Sequence, residues 1–312
     1  MTNNEFDEHM KALGKECDKL VEGFESQMYE SVMGFHNDAD RFTANLNSIW
    51  WKGFVAYEAM FVMTIEFAKK HIEMAGVKKD GKVSYENKFF AIMNIHGRAC
   101  QIYNEILCLL KSGYTDGAFA RWRSLFELSV YAMFIRKENN EVAVAYMAQA
   151  NTDEKFIEWA KSADCLKNHK GNVTFKTIFD NCAFPNETKD CWQGQYELAC
   201  KVVHASPQGT MKRMGIIEPF NAMLVTGTDW GLHTPAEHAA ISFFYISKEF
   251  FAEPSSLYGT TAIILLEKWV DVVRRYLYET VGTCFPDIKK AEEIYKKYLV
   301  RQKSTNDSSV DT

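Results

Sequence analysis

Apolar residues recur along this chain at spacings of three and four positions almost throughout, the period of helices buried on one side. A first amphipathic segment covers about residues 4–33, with Leu13, Leu20, Phe24 and Met28 or Val32 near one stripe. A second, strongly aromatic one runs from about Asp38 to Met74 through Phe42, Leu46, Trp50, Phe54, Tyr57 and Phe61, and the polar run Lys78–Lys82 ends it. A third spans roughly Tyr85–Lys111 and stops at Ser112-Gly113, a helix C-terminal signal. The fourth starts at once, with Thr115 or Asp116 as its cap, and reaches about Arg136; so short a link predicts an antiparallel helical hairpin. Further helices are predicted over about 141–167, near Thr174–Cys182, and from Glu187 to about His204, where Ser206-Pro207-Gln208-Gly209 cannot continue a helix. After an irregular stretch at 205–233, Thr234-Pro235-Ala236-Glu237 predicts a capped start to a helix ending near Phe251. Helices over roughly Ser256–Val281 and Asp287–Gln302 complete the pattern, and no strand is required.

Composition sharpens this into a fold class. Gly and Pro number only 17 and 6 in 312 residues, which disfavours a turn-dense β architecture, and 47% of the chain is apolar, enough for a large core. The expectation is an all-α multi-helix bundle: an N-terminal helical layer over 1–80, a main helical domain over 85–302, and a disordered tail at 303–312. The eight cysteines are scattered without a C-x-x-C pair and read as reduced. The N-terminus is polar and acidic rather than a targeting segment, and charges interrupt every long apolar run, so a cytoplasmic protein without a membrane span is expected.

The sequence contains no G-x-x-x-x-G-K-[ST], G-x-G-x-x-G, G-x-S-x-G, H-E-x-x-H or E-x-x-H motif. Phosphate-loop NTPases, dinucleotide enzymes, zincins and carboxylate di-iron proteins are thereby disfavoured, and no cofactor is expected. Two blocks stand out. In Arg121-Trp122-Arg123-Ser124-Leu125-Phe126-Glu127, Arg123 and Glu127 share a helix face at i,i+4 spacing, and Glu127 is the only ionisable residue of an otherwise apolar run from Leu125 to Ile135. That pair is either a structural ion pair or a guanidinium steered by its carboxylate toward a phosphate. In the second block, Tyr196 leads through seven residues to His204-Ala-Ser206. His204 closes a helix at the edge of a loop, where it either caps the last carbonyls or transfers protons. His233 and His238, five residues apart, have poor spacing for a metal. The net charge of −5 supplies no broad basic footprint for nucleic acid.

These two blocks resemble a widespread bacterial family of all-helical proteins of unknown function, over roughly residues 85–280. That family is in turn distantly similar to the helical HEPN domains, often metal-independent ribonucleases of toxin and antiphage systems, in which an Arg and a His cooperate at a phosphodiester. The HEPN hallmark places the two on one helix as R-x4–6-H; here no Arg precedes a His at that spacing, so Arg123 and His204 would have to meet from different helices. The resemblance implies an endoribonuclease acting on RNA, with Arg123, Glu127 and His204 as the catalytic group and Tyr196 and Ser206 binding the phosphate. The alternative is a non-enzymatic helical interaction or sensor module that uses its aromatic N-terminal helices to form a homodimer or hold a partner protein.

Overall fold

The computed structural model describes residues 3–79, 82–154, 157–182, 184, 186–204, 207, 210, 216–217, 222–223 and 226–285. Among them the fold is all-α, with eight helices: α1 (Asn3–Ala75), α2 (Asn87–Lys111), α3 (Thr115–Lys137), α4 (Asn140–Gln149), α5 (Phe175–Asn181), α6 (Asn186–Val203), α7 (His233–Phe251) and α8 (Leu257–Cys284). The expected helix over 287–302 and the tail after it lie outside the described residues. None of the described helices is long and apolar enough to cross a membrane.

The chain forms two compact units, Met1–Ser48 and Ile49–Thr312. The first is the N-terminal part of α1, and along it Phe6, Met10, Leu13, Leu20, Phe24, Met28, Val32 and Phe35 are all exposed. The two N-terminal segments expected from the sequence are one continuous helix, because a lone Gly34 weakens a helix without breaking it.

In the second unit α3 is the central element, packed against α2, α6 and α7, with α5 alongside. Its buried residues, including Phe119, Trp122, Leu125, Phe126, Val130 and Phe134, face neighbours on several sides, as its nearly continuous apolar sequence requires. The α2–α3 hairpin forms as expected: Gly113 adopts φ 76°, and Tyr114 N–H donates to the Leu109 carbonyl at 2.8 Å. Thr115 does not cap α3. Its hydroxyl instead donates to the Trp230 carbonyl at 3.2 Å, tying the 226–232 segment to the hairpin. At the centre of the core the Tyr57 and Tyr103 rings stack at 3.8 Å, and each hydroxyl donates to the other residue's backbone carbonyl at 3.2 Å. Here Tyr57 belongs to the Ile49–Ala75 part of α1.

Three local expectations change. The predicted helix over 141–167 stops at Gln149 and is followed by 3-10 turns at Glu158–Ser162 and Asp164–Leu166. Asn151, Thr152 and Asp153 favour local side-chain bonding over helix, and the Gln149 side chain accepts from Trp159 N–H at 2.9 Å to hold the turn. The polar run after α1 carries a small antiparallel hairpin, Val77–Lys79 with Lys82–Ser84, and Ile216–Ile217 pairs with Ala222–Met223, so strands are short rather than absent. Helix α7 begins at His233, with Leu232 at the cap, which puts Thr234 and Pro235 inside the first turn. Ser256 does cap α8, accepting from Gly259 N–H at 3.0 Å.

Candidate functional site

On α3, Arg123 Nε donates to Glu127 Oε1 at 3.1 Å, the i,i+4 contact the sequence predicts. From α6, the Tyr196 hydroxyl donates to the same carboxylate oxygen at 2.6 Å, and the Arg123 guanidinium lies 5.5 Å from the Tyr196 ring. Tyr196 is held in turn by Phe175 of α5, whose ring stacks on it at 4.6 Å. Phe126, Phe175, Phe179 and Tyr196 line a hollow of about 100 Å³ beside the group. Three helices therefore fix one carboxylate and, through it, one guanidinium.

The cluster is not sealed, although the apolar surroundings of Glu127 in sequence suggest burial on every face. The Arg123 and Glu127 side chains keep 28% and 25% of their exposure. Burial opposes charge on Arg123, but the neighbouring Tyr196 hydroxyl and Glu127 carboxylate outweigh it and raise its affinity for the proton. Burial, followed by the bond to Glu127, pushes the Tyr196 phenol upward, so it stays protonated and remains a donor. The arrangement presents a permanently charged, oriented guanidinium to solvent, the chemistry that recognises phosphate or carboxylate.

Helix α6 continues the site. Tyr196, Cys200 and His204 follow one another at i,i+4 spacing, so they share a helix stripe, and Cys200 lies within electrostatic range of Arg123. His204 is exposed just beyond the last turn of α6, where its backbone N–H donates to the Cys200 carbonyl at 3.1 Å. It stands about 12 Å along the helix from Tyr196 at the usual rise. Among the described residues no hydrogen bond or ion pair joins its imidazole to Arg123, Glu127 or Tyr196. Arg123, Glu127 and Tyr196 are thus brought together, and His204 sits further along the same stripe. Ser206 lies outside the described residues.

A second carboxylate repeats the pattern in the core. Glu237 of α7 accepts from Arg274 Nε and from the Tyr278 hydroxyl of α8, each at 2.7 Å. Here the side chains keep only 2% and 17% of their exposure, so this trio locks α7 to α8 rather than meeting a solute. His233 and His238 flank it. The His233 ring stacks on Trp50 at 6.3 Å, and His238 packs against Trp122 at 5.0 Å. Burial holds His233 neutral, with its pKa lowered to about 4, and lowers His238 in the same direction. Among the described residues no group of three or more His, Cys, Asp or Glu side chains is placed to hold a metal. Glu237, Arg274 and Tyr278 escaped sequence reading because their partners are far apart in the chain. The only local hint was Arg274 and Tyr278 at i,i+4 spacing.

Residues 89–180 match a family described as of unknown function, DUF5677. The match agrees with the expected resemblance to an uncharacterised family. It contains Arg123 and Glu127 and ends before Tyr196 and His204. No curated protein and no solved structure matches the chain.

Proposed function

We propose that the Arg123–Glu127–Tyr196 cluster is a phosphodiester-binding site and that the protein is a cytoplasmic, metal-independent endoribonuclease of the kind used in toxin and antiphage systems. The observation that supports this is the partial exposure of a guanidinium oriented by a carboxylate and a phenol, when the equivalent trio at Glu237 is shut away. In this reading Arg123 stabilises the charge of the phosphorane, and Glu127 and Tyr196 hold the guanidinium in place. His204, on the same stripe of α6, exchanges a proton with the ribose or leaving oxygen of a strand lying along the helix. The experiment is incubation of the full chain with total RNA in excess EDTA, beside His204→Ala. Cleavage by the wild type that the variant loses is the expected result; no cleavage, or equal cleavage by both, overturns the reading.

One observation favours a second role, carried by the Met1–Ser48 unit. Phe6, Met10, Leu13, Cys17, Leu20 and Phe24 alternate at spacings of four and three, a coiled-coil seam, and every one of them is exposed. Left in water such a seam adds nothing to stability, whereas a second copy in parallel register would cover it and set Cys17 against Cys17. Mild oxidation is then expected to cross-link the full chain, and Cys17→Ser to abolish the cross-link while light scattering still reports a dimer. A monomer by light scattering refutes the pairing.

A further inference from the structure

A groove of about 660 Å³ in the Ile49–Thr312 unit is bounded by α2, α4 and the first 3-10 turn, with Leu128 of α3 also lining it. Its volume is in the range of small-molecule sites. Three aromatic side chains form its walls. Trp159, itself 7% exposed, and Tyr146 meet nearly perpendicularly at 5.1 Å, and Phe90, 43% exposed, also lines the groove. Burial raises the Tyr146 phenol, which keeps that wall uncharged. Asn94 and Gln149 place amides along it, and among the described residues Arg98 is the only charged one lining the groove.

The charge at the Arg98 end is unbalanced. Its Nη1 donates to Gln101 at 2.9 Å and more weakly to Glu105 at 3.4 Å, and Glu105 also pairs with Arg121. Two guanidiniums share one carboxylate, leaving a net positive charge beside an aromatic slot. Flat apolar walls, amide edges and an adjoining cation suit an aromatic heterocycle that carries a negative group.

The groove also lies next to the site described above. On α3, Tyr131 is one turn beyond Glu127. Its ring packs at 5.6 Å against Trp159, and its phenol is raised first by burial and then by the Glu127 charge. Arg121, bonded to Glu105 of α2, and Arg123, bonded to Glu127, stand on opposite flanks of α3, and both side chains keep part of their exposure. All the lining residues fall between Phe90 and Trp159, inside the segment that matches the family.

We infer that this groove is the base-binding subsite of a single-stranded RNA substrate: one nucleobase lies among Phe90, Tyr146 and Trp159, its phosphate meets Arg98 and Arg121, and the strand continues toward Arg123. Naming the substrate rests on the ribonuclease reading; the affinity of the groove for a nucleotide does not. The test is calorimetric titration of the full chain with AMP, UMP and ribose 5-phosphate, repeated with Phe90→Ala and Arg98→Ala, two changes at exposed side chains. Binding of at least one nucleotide is expected, with ribose 5-phosphate about tenfold weaker or worse because it has no base to stack. Each variant is expected to weaken nucleotide binding about tenfold. No nucleotide binding, equal binding of ribose 5-phosphate, or nucleotide affinities unchanged in both variants overturns the inference. The two proposals fail separately. Nucleotide binding without RNA cleavage in EDTA removes the ribonuclease and keeps the groove; cleavage without nucleotide binding does the reverse.

Discussion

Glu127 and Glu237 each accept a guanidinium Nε–H and a phenol, yet removing the arginine should cost very different amounts. Arg274→Ala would strand a carboxylate that keeps 2% of its exposure, and such uncompensated burial costs roughly 3–5 kcal/mol. Arg123→Ala leaves Glu127 in touch with water and with Tyr196, so about 1 kcal/mol or less is expected. Urea unfolding of both variants checks the contrast, and equal losses would contradict it. The buried histidines set the acid limit. His96, stacked on Phe250 at 4.3 Å, is lowered by burial from 6.5 to about 3, and His233 from 6.5 to about 4. The unfolded chain therefore binds more protons than the folded one once the pH drops below 6.5, and stability falls from there down to each folded value. The combined loss near pH 4 is on the order of a few kcal/mol, and His233→Phe should flatten part of the slope between 6.5 and about 4 while leaving the His96 part. Denaturant midpoints across that range test this; a slope identical to the wild type would contradict it. What the sequence disclosed at this scale was local. Arg123 and Glu127 were legible because four residues of helix bring them together. The Tyr196 hydroxyl, expected at the phosphate, is bonded to Glu127 instead, a pairing across 69 residues that no spacing rule contains.

Among the elements, α7 and α8 approach each other tightly at Gly259. A Cβ there would lie 2.1 Å from the Phe251 carbonyl oxygen, a backbone atom that cannot swing away. Gly259→Ala should cost about 2 kcal/mol or more, whereas Gly53→Ala meets only the flexible end of Leu277 at 2.8 Å and should cost less. Thermal melts of the two variants give the ranking, and a Gly259→Ala protein as stable as Gly53→Ala would contradict it. Helices α2, α6, α7 and α8 were legible from apolar period and punctuation, and α3 from its nearly continuous apolar run between turn signals. Those signals mislead where they are weak: the segments expected over about 4–33 and 38–74 are one continuous α1, and the polar Asn151-Thr152-Asp153 run ends α4 although the apolar period carries on. The capping role of Thr115 failed for another reason: α3 already begins at Thr115, with Tyr114 at the cap, and the Thr115 hydroxyl donates to the Trp230 carbonyl.

Over the whole chain 36 basic residues face 41 acidic ones, so no general positive field draws in a polyanion. Any affinity for RNA must come from a few placed guanidiniums, and Arg98, Arg121 and Arg123 on α2 and α3 are the ones beside the groove and the cluster. The all-α class was legible from low Gly and Pro content together with the helical period. The 660 Å³ groove was not, because its walls come from 70 residues of chain that only the fold assembles and its aromatic residues look in sequence like core. The account turns on Arg123 acting as an oriented fork rather than as a point charge, and Arg123→Lys separates the two. The decisive measurement is the single-turnover rate at which a defined single-stranded RNA is cleaved in EDTA by the wild type and by Arg123→Lys. A loss of about 10²-fold or more in the variant, with its unfolding midpoint unchanged, is the predicted result. Equal rates, or a wild type that leaves the RNA intact, would contradict it.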